Sequence, residues 1–129
     1  MNKPKKNTNV ICIDFDGVLA NYDGRQDINH YGEPISGAKS FLEKIKSAGL
    51  DFVIFTTRNP EKITEWCKKH NFPEPREVTN QKIPAPVYID DRVIKFDGNF
   101  SNLLSDLKNF NVHWKSEKIF EKYFKPQTK

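Results

Sequence analysis

Three short apolar runs, each closed by a polar or acidic residue, constrain this chain more than anything else in it: Asn9 to Asp14, Asp51 to Thr56 and Pro86 to Asp90. Unbroken apolarity, without the alternation of a half-exposed strand, is the pattern of strands buried on both faces of a parallel sheet. Between the first two runs, Ser36 to Ala48 places Phe41, Leu42 and Ile45 at helical spacing, with Ser36 as the expected N-cap and Gly49 as the stop. After the second run, Pro60 to His70 predicts another helix, with Asn59 as cap, Pro60 at the first helical position, and Ile63, Trp66 and Cys67 facing inward. Arg76 to Thr79 gives a weakly marked third strand. Val93 to Phe96 follows the last apolar run, and a helix is expected through Leu103, Leu104 and Leu107. Strands alternating with helices predict an α/β fold: a single Rossmann-like three-layer α/β/α domain with a mainly parallel sheet and right-handed crossovers.

The 129 residues suffice for one hydrophobic core, and no repeat, low-complexity tract or linker divides them. The expectation is one domain over 1–129, with 1–8 as a flexible tail and 115–129 as a C-terminal helix or tail. There, Trp114, Ile119, Phe120, Tyr123 and Phe124 form an apolar stripe that reads as a helix docking on its own core. The run Val10 to Ile13 is far too short for a signal segment or a membrane span, so the chain reads as cytoplasmic. Cys12 and Cys67 offer neither a disulfide framework nor metal-ligand spacing and read as buried small hydrophobes. The formal charge of +4 favours an anionic partner without identifying it, and much of the excess sits in terminal lysines, where solubility accounts for it.

In an open parallel sheet the ligand crevice lies beyond the carboxyl ends of the strands. Asp14, Thr56 and Asp90 each end an apolar run, so three segments deliver polar groups to one edge. Asp14-Phe-Asp16-Gly17 sets two carboxylates two residues apart, where the strand period aims them in similar directions, and Gly17 frees the backbone for a sharp turn. Alone, this is as well read as an Asp-Gly turn. Beside a magnesium ion, however, an ionised aspartate can attack a phosphoryl group, and a like-charged neighbour holds a proton more readily, as a general acid must. Asp90-Asp91-Arg92 is a second acidic cluster, sufficient with Asp14 for magnesium, which takes one or two carboxylates and keeps several waters. Thr56-Thr57-Arg58 offers hydroxyls and backbone N–H groups just before a helix N-terminus, an anion site, and Lys82 supplies a compact positive charge upstream of the acid pair.

In order, Asp-x-Asp, a strand-terminal Thr, a Lys and an Asp-Asp pair resemble the four signature motifs of the haloacid dehalogenase superfamily of phosphohydrolases, over roughly Val10 to Arg92. The resemblance implies Asp14 as nucleophile, Asp16 as general acid/base and backbone metal ligand, and Thr56 as the hydroxyl on the transferring phosphoryl group. It further implies Lys82 as the neutralising charge, Asp91 as a metal ligand, and Asp90 as an alternative or supporting ligand, with Mg2+ as cofactor. Gly17, Thr57 and Arg58 fall to substrate binding. The Ile-Asp-Asp-Arg form is similar to the deoxyribonucleotidase and polynucleotide 3'-phosphatase branches, and Arg58 two residues after Thr56 resembles the phosphatase domain of bacteriophage polynucleotide kinase. The response-regulator receiver domain has similar parts, but its acid pair comes first and its acceptor aspartate stands alone in mid-chain, the reverse of the order here.

Neither interval between motifs has room for a cap domain. Water exclusion then falls to the Tyr22 to Tyr31 loop, to a bulky substrate or to a partner subunit, which leaves a homo-oligomer open. Tyr22, Arg25, His30 and Tyr31 are candidates for substrate contact on that loop, although an exposed loop histidine is the plainer reading of His30. The expected activity is magnesium-dependent hydrolysis of a phosphate monoester through an aspartyl-phosphate, on a small molecule or a nucleic-acid end. The alternative is a non-catalytic module that keeps the phosphate site.

Overall fold

The apolar runs form strands as their pattern requires: β1 (Val10–Asp14), β2 (Asp51–Phe55) and β4 (Val87–Ile89), with β3 (Glu77–Thr79) as a short fourth. All pairings are parallel, in the order β3-β2-β1-β4. This is an α/β fold built on a four-stranded sheet with flanking helices. The structure is a computed structural model and describes residues 9–24 and 27–124. The chain divides into two compact units, Met1–Asp90 and Asp91–Lys129.

In the first unit, the alternation of side chains along a strand separates two apolar clusters. Ile13, Phe52 and Ile54 point to one face, where α1 (Ala38–Ser47) covers them with Leu42 and Ile45, and α2 (Pro60–Lys69) with Ile63, Trp66 and Cys67. Val10, Cys12 and Val53 point to the other face and pack against Phe55, Ile83, Ala85 and Tyr88. The connection from β3 to β4 therefore crosses the face opposite the two helices. Crossovers of one hand demand this arrangement: β1 to β2 and β2 to β3 step the same way along the sheet, whereas β3 to β4 steps back past both. The reversal opens a switch point between β1 and β4, where a doubly wound sheet receives its ligand.

The helix ends show which local signals decided. Asn59 caps α2 as expected, its side chain accepting from the N–H of Glu61 at 2.8 Å and Lys62 at 3.1 Å, with Pro60 at the first position. Both helices close with paired bonds to the preceding turn. Leu50 N–H reaches Ile45 O and Gly49 N–H reaches Lys46 O; Phe72 N–H reaches Cys67 O and Asn71 N–H reaches Lys68 O. Ser36 is not the cap of α1: Gly37 holds that position, with no side-chain hydrogen bond. Phe41, expected inward, is 41% exposed, because the buried stripe runs through Ala38, Leu42 and Ile45, and position 41 lies off it.

The second unit contains α3 (Leu103–Lys108) and one turn of 3-10 helix at Glu121–Phe124. Val93 to Phe96 forms no strand, and the apolar stripe from Trp114 onward is not an α-helix within the described residues. Its side chains are not deeply buried either: Tyr123 stays 70% exposed, while Val112 is the buried hydrophobic residue among the described residues of this unit. Residues 1–8, 25–26 and 125–129 lie outside the described residues, and with them the expected N-terminal tail and the last part of the expected C-terminal one. No helix among the described residues is long and apolar enough to cross a membrane.

Candidate active site

Asp14 is the last residue of β1 and is buried. The pairing of β1 with β4 ends at Ile13 opposite Ile89, so the next residues, Asp14 and Asp90, stand side by side one step beyond the ladder. With Asp91 they form a group whose carboxylate oxygens lie within 4.8 Å of one another. Like charges set opposite each other on neighbouring strands destabilise a sheet, so such crowding at a switch point suits a cation. The donors are all carboxylate oxygens, the choice of a hard ion such as Mg2+ or Ca2+. Oxygens on opposite sides of a magnesium ion stand roughly 4.2 Å apart, a separation that falls inside the 4.8 Å within which these oxygens lie. Trp114 donates its indole N–H to Asp91 Oδ2 and fixes that carboxylate's orientation.

Beyond Asp14 the chain turns back on itself. The Val18, Leu19 and Ala20 N–H groups converge on Phe15 O, and Gly17 donates to Ala20 O at 2.8 Å with a φ of +84°, a conformation that side chains resist. A narrow antiparallel neck follows, in which Ile35 N–H bonds Leu19 O and Asn21 N–H bonds Glu33 O, closing the loop 21–33 at its base. Gly32 is required in this neck, because a Cβ there would stand 1.9 Å from Asn21 O. Trp66 on α2 holds the loop down, donating its indole N–H to Gly32 O at 2.9 Å.

Arg58 ties this loop to the site. Its Nε meets Asp16 Oδ2 at 2.8 Å, its Nη1 reaches Ile28 O at 3.4 Å, and its guanidinium lies 4.4 Å from the Tyr31 ring centroid. The side chain is only 12% exposed. Burial works against the charged guanidinium, but Asp16 and then Tyr31 outweigh it and shift the Arg58 pKa upward. The other oxygen of Asp16, Oδ1, is buried and takes no hydrogen bond.

No protein-family model matches this chain, and no curated protein matches it. A solved structure of a conserved protein coded by a locus from Bacteroides thetaiotaomicron is similar in fold, with a TM-score of 0.55 and 19% identity over 93% of this chain and all of that one.

Of the residues singled out in the sequence, Asp14, Asp90 and Asp91 are brought together, and Asp16 and Thr56 follow the ends of β1 and β2. Thr56 is buried; its hydroxyl oxygen accepts the Arg58 N–H at 3.2 Å, which leaves its own proton to donate. The first N–H groups of α2 itself are taken, those of Glu61 and Lys62 by the Asn59 side chain and that of Ile63 by the Asn59 carbonyl. Thr57 is exposed. Lys82 is exposed in the β3–β4 connection, with Nζ 5.7 Å from the Tyr88 ring centroid. Tyr88 in turn holds that connection, its hydroxyl bonded to Ile83 O and accepting the Ile83 N–H. His30 is exposed, and Arg25 lies outside the described residues. The pairing of Arg58 with Asp16 across 42 residues went unforeseen, and no local signal marks it. Both cysteines are buried, and burial pushes their thiols up to about 11, so neither is a nucleophile at neutral pH.

Proposed function

We propose that this protein is a magnesium-dependent phosphate monoester hydrolase of the haloacid dehalogenase type, acting through an aspartyl-phosphate on Asp14. The observation that carries the reading is the register of β1 on β4, which sets Asp14 beside Asp90 at the switch point with Asp16 two residues on. Asp14, Asp90 and Asp91 would hold the metal, with the Asp16 carbonyl as the fourth protein donor that the motif resemblance implies. Magnesium would supply charge neutralisation for the phosphoryl oxygens.

The chain's own residues do the rest. An Asp14 carboxylate oxygen attacks phosphorus, forming the acyl-phosphate bond as the ester P–O bond breaks. Asp16 gives its proton to the departing ester oxygen and afterwards takes one from the water that attacks phosphorus, as the acyl-phosphate P–O bond breaks and returns Asp14 as a carboxylate. Arg58 holds Oδ2 of Asp16, and Oδ1, which takes no hydrogen bond, is the oxygen left to carry the proton. Thr56 donates its hydroxyl proton to a phosphoryl oxygen. The loop 21–33, pinned by Arg58 and Trp66, excludes water in place of a cap.

The test is release of phosphate from an aryl phosphate with magnesium and with EDTA, joined to mass spectrometry of the Asp16→Asn protein after exposure to an activated phosphate donor. Magnesium-dependent release and an adduct on Asp14 are expected. Full activity in chelator would remove the metal from the reading, and no release with any monoester would leave a phosphate-binding module instead.

A further inference from the structure

In the second unit, one tightly bonded loop ends on Asp91. Ile119 N–H bonds Phe110 O at 3.1 Å and closes residues 110–119 at their base. Inside the loop, Asn111 ties the backbone twice, its Oδ1 accepting the Val112 N–H at 2.9 Å and its Nδ2 donating to Lys115 O at 3.1 Å. Lys115 N–H in turn bonds Val112 O at 3.2 Å, and buried Val112 anchors the turn. These bonds fix the backbone on both sides of Trp114, whose half-buried ring sends its indole N–H to Asp91 Oδ2 at 2.5 Å.

An indole has one donor and no acceptor. It therefore holds a carboxylate oxygen without competing for a cation, as His would, and without setting a positive charge beside one, as Lys would. Which oxygen it holds matters to the ion. Neighbouring oxygens in the octahedral shell of magnesium stand roughly 3 Å apart, wider than the two oxygens of one carboxylate, so magnesium takes a carboxylate through a single oxygen. Calcium, with its longer bonds and more flexible shell, takes both. An Asp91 whose Oδ2 is held by the indole meets a metal through one oxygen.

We infer that Trp114 is a positioning residue that makes the carboxylate cluster selective for magnesium over calcium, by keeping Asp91 a one-oxygen ligand. Magnesium binds with the indole bond kept; calcium reaches Oδ2 only by displacing the indole. The inference deepens the metal site of the proposed phosphohydrolase and rests on that reading only for the cation at Asp14, Asp90 and Asp91. Trp114 thus acts through Asp91 and touches neither substrate nor ion.

The test is calorimetric titration of magnesium and of calcium into the wild type and into Trp114→Phe, which keeps an aromatic ring in the turn but has no N–H. Magnesium affinity is expected to fall about tenfold, as when the partner of a metal ligand is lost, while calcium affinity holds or rises. Equal changes for both ions, or no change for either, would overturn the proposal, because a ring that merely packs the loop has no means of telling the ions apart. A second readout needs no variant. The assigned Trp114 indole proton of the wild type, followed by NMR, should stay protected from solvent exchange with saturating magnesium and exchange faster with saturating calcium. Equal protection with the two ions would overturn the proposal whether or not Trp114→Phe folds. A wild type that binds magnesium but hydrolyses no monoester would defeat the proposed function and leave the selectivity decided by these titrations, whereas one that binds no magnesium would defeat both.

Discussion

At the end of the sheet where β2 starts, Asp51 sits between two cations, Lys46 Nζ at 2.6 Å and Arg76 Nε at 3.1 Å, and accepts the Phe52 N–H at 2.8 Å. At the end where β1 and β4 finish, Asp14, Asp90 and Asp91 bring carboxylate oxygens within 4.8 Å of one another. The two ends use one residue type for opposite purposes. Asp51 clamps α1 and the approach to β3 onto the start of β2. The opposite end gathers carboxylates at a switch point, an arrangement that suits a cation. Asp16 is intermediate, a carboxylate of the crowded end that has a clamp of its own in Arg58.

The comparison breaks most visibly at Asp14. Asp14→Asn should lower turnover of an aryl phosphate by at least about 10³-fold, since the amide keeps the shape but is no anionic nucleophile. Circular dichroism should show the fold retained. Wild-type turnover in this variant would end the nucleophile assignment. Arg58→Ala comes next, with an effect on stability: it strips the compensating charge from a mostly buried Asp16 and should cost about 2–3 kcal/mol in urea unfolding. Arg58→Lys should recover part of this, because the ammonium can pair with Asp16 but cannot also span Ile28 O and the Tyr31 ring. Equal losses for the two variants would mean that stacking and the Ile28 bond, rather than the charge, hold the loop.

At the crowded end, Asp90→Asn relieves repulsion against Asp14 and should stabilise the metal-free protein by about 1 kcal/mol. Magnesium should raise the melting temperature of the wild type by linkage and raise that of the variant less. If magnesium shifts both equally, Asp90 is no ligand.

The crowded end was legible in the sequence because strand ends are fixed by pattern: an apolar run that stops at an aspartate names both the strand and the residue beyond it. Parallel pairing then needs only the strand order to bring Asp14 and Asp90 together. The lateral contacts were not legible. Arg58 could have faced solvent, substrate or Asp16, and the choice depends on how loop 21–33 packs, which Trp66 and Gly32 decide from distant positions. Ser36 misled for a related reason. A capping preference is weak and local, and the chain began α1 at Gly37 instead. The second unit misled most, because Ile119, Phe120, Tyr123 and Phe124 carry helical spacing, yet the described residues form only one turn of 3-10 helix there and Tyr123 stays exposed.

The smallest expected effect concerns the clamped end and depends on pH. Burial favours the protonated form of Asp51, but the hydrogen bonds from Lys46, the Phe52 N–H and Arg76 outweigh it, so its pKa in the folded protein lies below the ordinary carboxylate value. A lowered folded pKa means that the unfolded chain takes up protons first as acid is added. The stabilisation is therefore complete above the unfolded value, about pH 4, and disappears as pH falls through the folded one. Because Lys46 and Arg76 are each about a third or more exposed, screening limits the contribution to about 0.5–1 kcal/mol. Asp51→Asn should thus lower the urea midpoint at pH 7 and have progressively less effect below pH 4. A destabilisation that is equal at both pH values would show that Asp51 acts through neutral hydrogen bonds, and the contrast between a charge-clamped end and a charge-crowded end would lose its first half.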